Sequence, residues 1–155
     1  MITEQLDDVD IDILRTVQND GRLTVREIAA QVHRSPTPVF ERLRRLERNG
    51  YIRKYVALLD ADKLGRGFMV FCQVKLHHIN RDIAGRFIEW VDALPEVTEC
   101  YNVSGSFDYL LKIYASSMKD YQEFVLNKLG TFEHLGSIES TFVMSEVKHD
   151  CGIPI

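Results

Sequence analysis

LTVREIAAQVHRSPTPVFERLRRLERNGYI, residues 23–52, is the stretch whose reading decides the fold of the first third of the chain. Thr24 and Glu27 have the spacing of a capping box, in which the two side chains satisfy free N–H groups at a helix start. Val25, Ile28, Ala29 and Val32 then recur at helical spacing. The stripe ends at His33-Arg34, and a second helix begins at once. Ser35 suits its N-cap, and Pro36 suits the first helical position, where a missing N–H costs nothing. Val39, Leu43 and Leu46 form its apolar face, and Asn49-Gly50 closes it because glycine tolerates a left-handed backbone. At about 100° per residue, Thr37, Glu41, Arg44, Arg45 and Arg48 point away from that face, with Pro38 at its edge. Two short helices, a tight turn and a basic outer face make the arrangement of a DNA-reading helix-turn-helix. A helical hairpin with a solvated basic face has the same spacing, so charge has to separate the two.

The chain has 155 residues and a net charge of −4, so the whole molecule is no generic polyanion binder. Its charge is unevenly spread. Residues 1–21 carry six acids and one base, residues 22–54 nine bases and three acids, and the remainder nine bases and fourteen acids. A basic island confined to the helix pair is an electrostatic footprint for phosphate. Arg34, Arg53 and Lys54 flank the second helix and are expected near phosphates, as are Arg44 and Arg48. Thr37, Pro38, Glu41 and Arg45 are expected closer to base edges, and Ser35 is expected in the same DNA-binding set. Arg42 flanks the apolar face, and a structural pairing with an acid of the same domain is its other reading.

Ahead of the pair, Leu6-Asp7-Asp8 opens a helix with Asp8 as N-cap, Asp10 and Asp12 at the positive dipole end, and Ile11, Leu14 and Val17 inward. Asn19-Asp20-Gly21 stops it. After Gly50, residues Tyr51 to Leu59 are rich in β-branched and aromatic side chains and read as a strand or wing. Asp60 to Gly67, with two glycines and a charge cluster, is the boundary. From Phe68 the period changes. Phe68–Leu76 is a strand, and Asn80 caps a helix with Ile83, Phe87, Val91 and Leu94 inward. Val97–Val103 and Tyr109–Ala115 are strands joined by Ser104 to Asp108. Ser117 caps a helix with Tyr121, Phe124, Val125 and Leu129 inward, and Ile138–Val147 is a last strand. That β-α-β-β-α-β order is the ferredoxin-like motif.

Met69 and Phe71 alternate with Phe68, Val70, Cys72 and Val74, so the first strand is apolar on both faces. The last strand sets Val143 and Val147 opposite Phe142 and Met144. Two helices cover only one face of a four-stranded sheet, so the other face calls for a second subunit. The other reading is screening by the chain's own wing or tail. Cys72, Cys100 and Cys151 are scattered and odd in number, which suits reduced thiols and a cytoplasmic location, with Cys72 and Cys100 in the core. No N-terminal apolar run resembles a signal peptide, and no apolar stretch is long enough to span a bilayer. His77-His78 are adjacent on a strand and point to opposite faces, so they do not share one site. No metal-ligand set, phosphate loop or nucleophile elbow is present. No enzyme, cofactor or metal is expected.

The runs DDVDIDIL (7–14), LTVREIA (23–29), SPTPVFERLRRLERNGYI (35–52), VALLDADKLG (56–65) and VSGSFDYLL (103–111) resemble the Lrp/AsnC family of transcription regulators. The likeness covers nearly the whole chain. It implies an α+β protein with a winged helix-turn-helix over residues 1–55, a linker over 56–67 and a ferredoxin-like domain over 68–155 for effector binding and oligomerisation. It implies double-stranded DNA and a small-molecule effector as partners, the effector an amino acid or a relative of one, and dimers that build octamers. The family's effector-holding hairpin corresponds here to Gly105–Asp108, with the region 136–141 beside it. Asp108 offers a carboxylate for an ammonium, and Gly105, Ser137, Ser140 and Thr141 offer N–H and hydroxyl donors for a carboxylate. Gly-Ser-Phe-Asp is also an ordinary β-turn sequence. The rival from the same fold is a sirohaem-decarboxylase-like enzyme, which needs a basic, His-bearing pocket that the acidic second half does not favour. A ligand-binding module without DNA binding is the third reading.

Overall fold

Asp7 rather than Asp8 caps the first helix, α1 (Asp8–Asn19), because Asp7 and Asp10 bond each other's backbone N–H across the first turn. That turn aims Asp10 inward, so the buried face runs through Asp10 and Ile13, flanked by Leu14 and Val17. Ile13 is fully buried in place of the expected Ile11, because Asp10 takes the inward face of the first turn. The computed structural model describes residues 5–149 and 152–155, and Cys151 lies outside them. It divides into two units, one comprising the chain up to Leu58 with Lys148–Ile155, the other Leu59–Val147.

In the first unit, α2 (Val25–Gln31) carries the expected box, with Thr24 N–H donating to Glu27 at 2.7 Å and Glu27 N–H to Thr24 Oγ1 at 3.3 Å. His33 takes φ of 53° in the turn, a left-handed position that lets the chain reverse between helices. α3 (Pro36–Arg48) buries Val39, Leu43 and Leu46. These side chains, with Ile13, Ile28, Ala29 and Val32, form one core. The strand expected over Tyr51–Leu59 is not formed. The backbone there has no partner strand within one chain, and Tyr55, Val56, Leu58 and Leu59 are exposed. Residues 152–155 belong to this unit and not to the second domain. Gln18 exchanges two hydrogen bonds with the Ile153 backbone, at 2.9 and 3.1 Å, and Arg15 Nε donates to the Ile155 carbonyl at 2.7 Å.

The second unit contains β1 (Phe68–Leu76), α4 (Arg81–Asp92), β2 (Val97–Asn102), β3 (Tyr109–Ala115), α5 (Met118–Asn127), a short 3-10 turn and β4 (Leu135–Phe142). The sheet order is β2-β3-β1-β4, antiparallel throughout. This is the ferredoxin-like arrangement. One face carries Val70, Cys72, Val74, Leu111 and Ile113 into a core with Ile83, Phe87 and Val91 of α4 and Tyr121 and Phe124 of α5. Phe142 joins that side, its ring 5.7 Å from those of Phe68 and Tyr121.

β4 is shifted from its expected range. It begins at Leu135, three residues ahead of the expected start at Ile138, and it ends at Phe142, leaving Met144 and Val147 beyond it and exposed. Gly136 permits the early start, since a Cβ there would lie 2.9 Å from the Lys75 carbonyl oxygen. Cys72 is buried as expected, and burial pushes its thiol up to about 11. Cys100 is instead exposed, because β2 is an edge strand. His77 and His78 are both exposed at the end of β1.

Candidate nucleic-acid interface and ligand hairpin

The arginines of α3 fall into two classes. Arg42 Nη1 sits 2.7 Å from both Asp7 Oδ2 and Asp10 Oδ1, and Arg45 Nη2 sits 2.6 Å from Asp10 Oδ2. Asp10 is 1% exposed, so this is a carboxylate held inside the unit between two guanidinium groups. The backbone N–H of Asp10, then Arg42, hold the Asp7 carboxyl below its usual range, and Asp7 in turn leads in pushing Arg42 up. The structural reading of Arg42 is therefore the one realised. Arg45, expected at a base edge, has its guanidinium turned to the same acid.

Arg44 and Arg48 are exposed and make no ion pair among the described residues. With Pro38, Phe40, Glu41, Arg42 and Arg45 they line an open concavity of about 710 Å³ on the outer side of α3. Thr37, Pro38 and Glu41 are exposed on the helix's first turns. Ser35 occupies the N-cap, yet its hydroxyl makes no capping hydrogen bond and stays available to a phosphate. Arg34 donates to the His33 carbonyl at 3.0 Å and is exposed, as are Arg53 and Lys54.

In the second unit Gly105 turns the β2–β3 hairpin with φ of 128°, a conformation that favours glycine. Asp108 closes it. Its N–H donates to the Val74 carbonyl at 2.9 Å, and its carbonyl accepts from Val103 N–H and the Asn102 side chain. Its carboxylate accepts from the backbone N–H of Leu76 at 2.8 Å and from Lys75 Nζ at 3.1 Å. The Leu76 N–H is left to do this because the β1–β3 pairing ends at Val74–Tyr109, just before Asp108. Ser137 pairs with Lys75 across the strands and is exposed, so Asp108, Lys75 and Ser137 converge.

The other two hydroxyls are placed elsewhere. Ser140 pairs with Cys72 and shares a 2.6 Å hydrogen bond with the Tyr121 hydroxyl on the helix side, while Thr141 pairs with Phe71 on the open face. Lys75 was not singled out from the sequence. Alternation along one strand carries no information on the β1–β3 register, whose next step past Val74–Tyr109 sets Lys75 beside Asp108.

These features recur in known proteins. The Lrp/AsnC ligand-binding domain profile matches residues 69–153, and the profile of a winged helix-turn-helix DNA-binding domain matches residues 6–53. The chain belongs to the Lrp/AsnC family. The leucine-responsive regulatory protein of Escherichia coli is 39% identical over 145 residues, spanning 94% of this chain and 88% of the relative. The E. coli DNA-binding transcriptional activator DecR is 33% identical, over 97% and 99% of the two chains. Among solved structures, a Neisseria meningitidis transcriptional regulator in complex with L-Met superposes with a TM-score of 0.92 at 35% identity, covering 97% of each chain. The member described here is thus a DNA-binding transcriptional regulator.

Proposed function

We propose that α3 lies in the major groove, with Thr37, Pro38 and Glu41 at base edges and Arg34, Ser35, Arg44, Arg48, Arg53 and Lys54 on phosphates. The observation that carries this is the division among the arginines: Arg44 and Arg48 make no ion pair among the described residues and stay exposed, while Arg42 and Arg45 are held by Asp10. Arg45 then positions α3 and does not read a base. Arg48→Ala should weaken binding to specific and scrambled duplexes alike and lower the salt slope by roughly one unit. Gel shifts across a salt series measure this, and an unchanged slope removes Arg48 from the interface.

The effector is an amino acid held at the hairpin. The ammonium goes to Asp108, and the carboxylate to Lys75, Ser137 and the Gly105 backbone. Relatives named for leucine response and solved with L-Met support that chemistry. Ser140 and Thr141 lie farther along β4, and Ser140 is already bonded to Tyr121. Asp108→Asn keeps an acceptor for Leu76 N–H and removes the charge, so it should lose about 10- to 100-fold in amino-acid affinity with the fold intact. Calorimetry across the amino acids tests it, and equal binding by wild type and variant sinks the assignment.

The working form is a dimer built on the open face of the sheet, where Met69, Phe71, Leu110 and Tyr114 are only half covered, and dimers associate further into octamers. Regulation of transcription in the cytoplasm, without catalysis, completes the reading. The three helices form the DNA domain (residues 1–55), residues 56–67 the linker, and the ferredoxin-like body from residue 68 the sensor.

A further inference from the structure

We propose that Phe40 reads thymine, its ring packing on the 5-methyl group in the major groove. The inference rests on the placement of α3 in that groove. Phe40 is 50% exposed, while the other large apolar side chains of α3, Val39, Leu43 and Leu46, are at most 9% exposed. A single exposed aromatic needs no explanation by itself. Its position does. Phe40 lines the same concavity as Pro38, Glu41, Arg44 and Arg48, and it stands one helical turn before Arg44.

A duplex that reaches Glu41 and Arg44 must also cover Phe40. The ring has no donor or acceptor, so covering a polar base edge with it leaves that edge unpaired, which is costly. Base edges in the major groove present one apolar group, the thymine methyl. Phe40 therefore penalises other bases at its position and favours thymine. The basic face around it works against the other occupant, a second copy of this chain, because two such faces would bring Arg44 and Arg48 together with their like.

The test uses the full chain and duplexes selected from a random library by the wild-type protein. Each thymine is replaced in turn by deoxyuridine, which lacks only the methyl group. One thymine in each half-site should cost wild type about fourfold in affinity, the factor expected for one buried methyl. Phe40→Ala should bind the parent duplex at least that much more weakly and be insensitive to the same replacement. Identical uracil profiles for the two proteins overturn the proposal. So does Phe40→Ala with wild-type affinity, or a changed sedimentation coefficient with an unchanged profile, which would make Phe40 a protein contact. Arg48→Ala run alongside separates the two levels: if it too binds as wild type, the placement of α3 fails, whereas a weakened Arg48→Ala with an unaffected Phe40→Ala fails Phe40 alone.

Discussion

Replacing Arg42 and Arg45 together with alanine should cost the DNA-binding unit about 3–5 kcal/mol, the penalty for leaving a buried carboxylate without its charged partners. Asp10 is the reason. Its side chain is 2% exposed, and each oxygen accepts a short hydrogen bond from one of the two guanidinium groups. The arginines themselves are about 30% exposed, so water relieves part of the loss on their side and none of it on Asp10. Urea unfolding followed by circular dichroism measures the change. The matched control is Arg44→Ala with Arg48→Ala, two exposed positions expected to stay within about 0.5 kcal/mol of wild type. Equal stability of the two double variants would show that the Asp10 cluster does not hold α3 against α1. The same cluster explains why a loss of DNA binding in Arg45→Ala should be uniform across sequences: the variant loosens the helix and does not remove one base contact.

Phe71→Asp should convert the protein to monomers and weaken operator binding by about 100- to 10,000-fold, the avidity lost when two linked half-site readers become one. Phe71 sits in the middle of the open sheet face, paired across β1–β3 with Lys112 and across β1–β4 with Thr141. Lys112 on that face is 8% exposed in a single chain. Burial pulls its ammonium down, and Glu99 at 3.2 Å outweighs that pull and holds it up. Lys112 is already engaged by Glu99, so a carboxylate at position 71 carries an excess negative charge into a dry interface. Analytical ultracentrifugation and gel shifts on one preparation read both effects. A dimer with full affinity would place the interface elsewhere. Met144, which sequence alternation assigns to the last strand, serves as the contrast. It is 95% exposed past the end of β4, and Met144→Asp should leave assembly unchanged.

Local rules determined much of this protein from its sequence. The Thr24–Glu27 box, the Pro36 start of α3, its buried Val39, Leu43 and Leu46, and the β-α-β-β-α-β order follow from periods and caps that act within a few residues. The basic island was equally visible, because net charge along a chain needs no coordinates. Tertiary structure decided what those rules cannot reach. Only the packing of α1 against α3 shows Asp10 buried between Arg42 and Arg45, tying Arg45, which still lines the outer concavity, to an acid of another helix. Period-two alternation cannot foresee the β1–β3 register, which ends at Val74–Tyr109 and leaves the Leu76 N–H and Lys75 to Asp108. Nor can it foresee that residues 152–155 pair with Gln18 and Arg15, a hydrogen-bonding choice made across more than 130 positions of chain. Charge and period are properties of neighbours in sequence, whereas the pairing of a buried carboxylate depends on which helices meet.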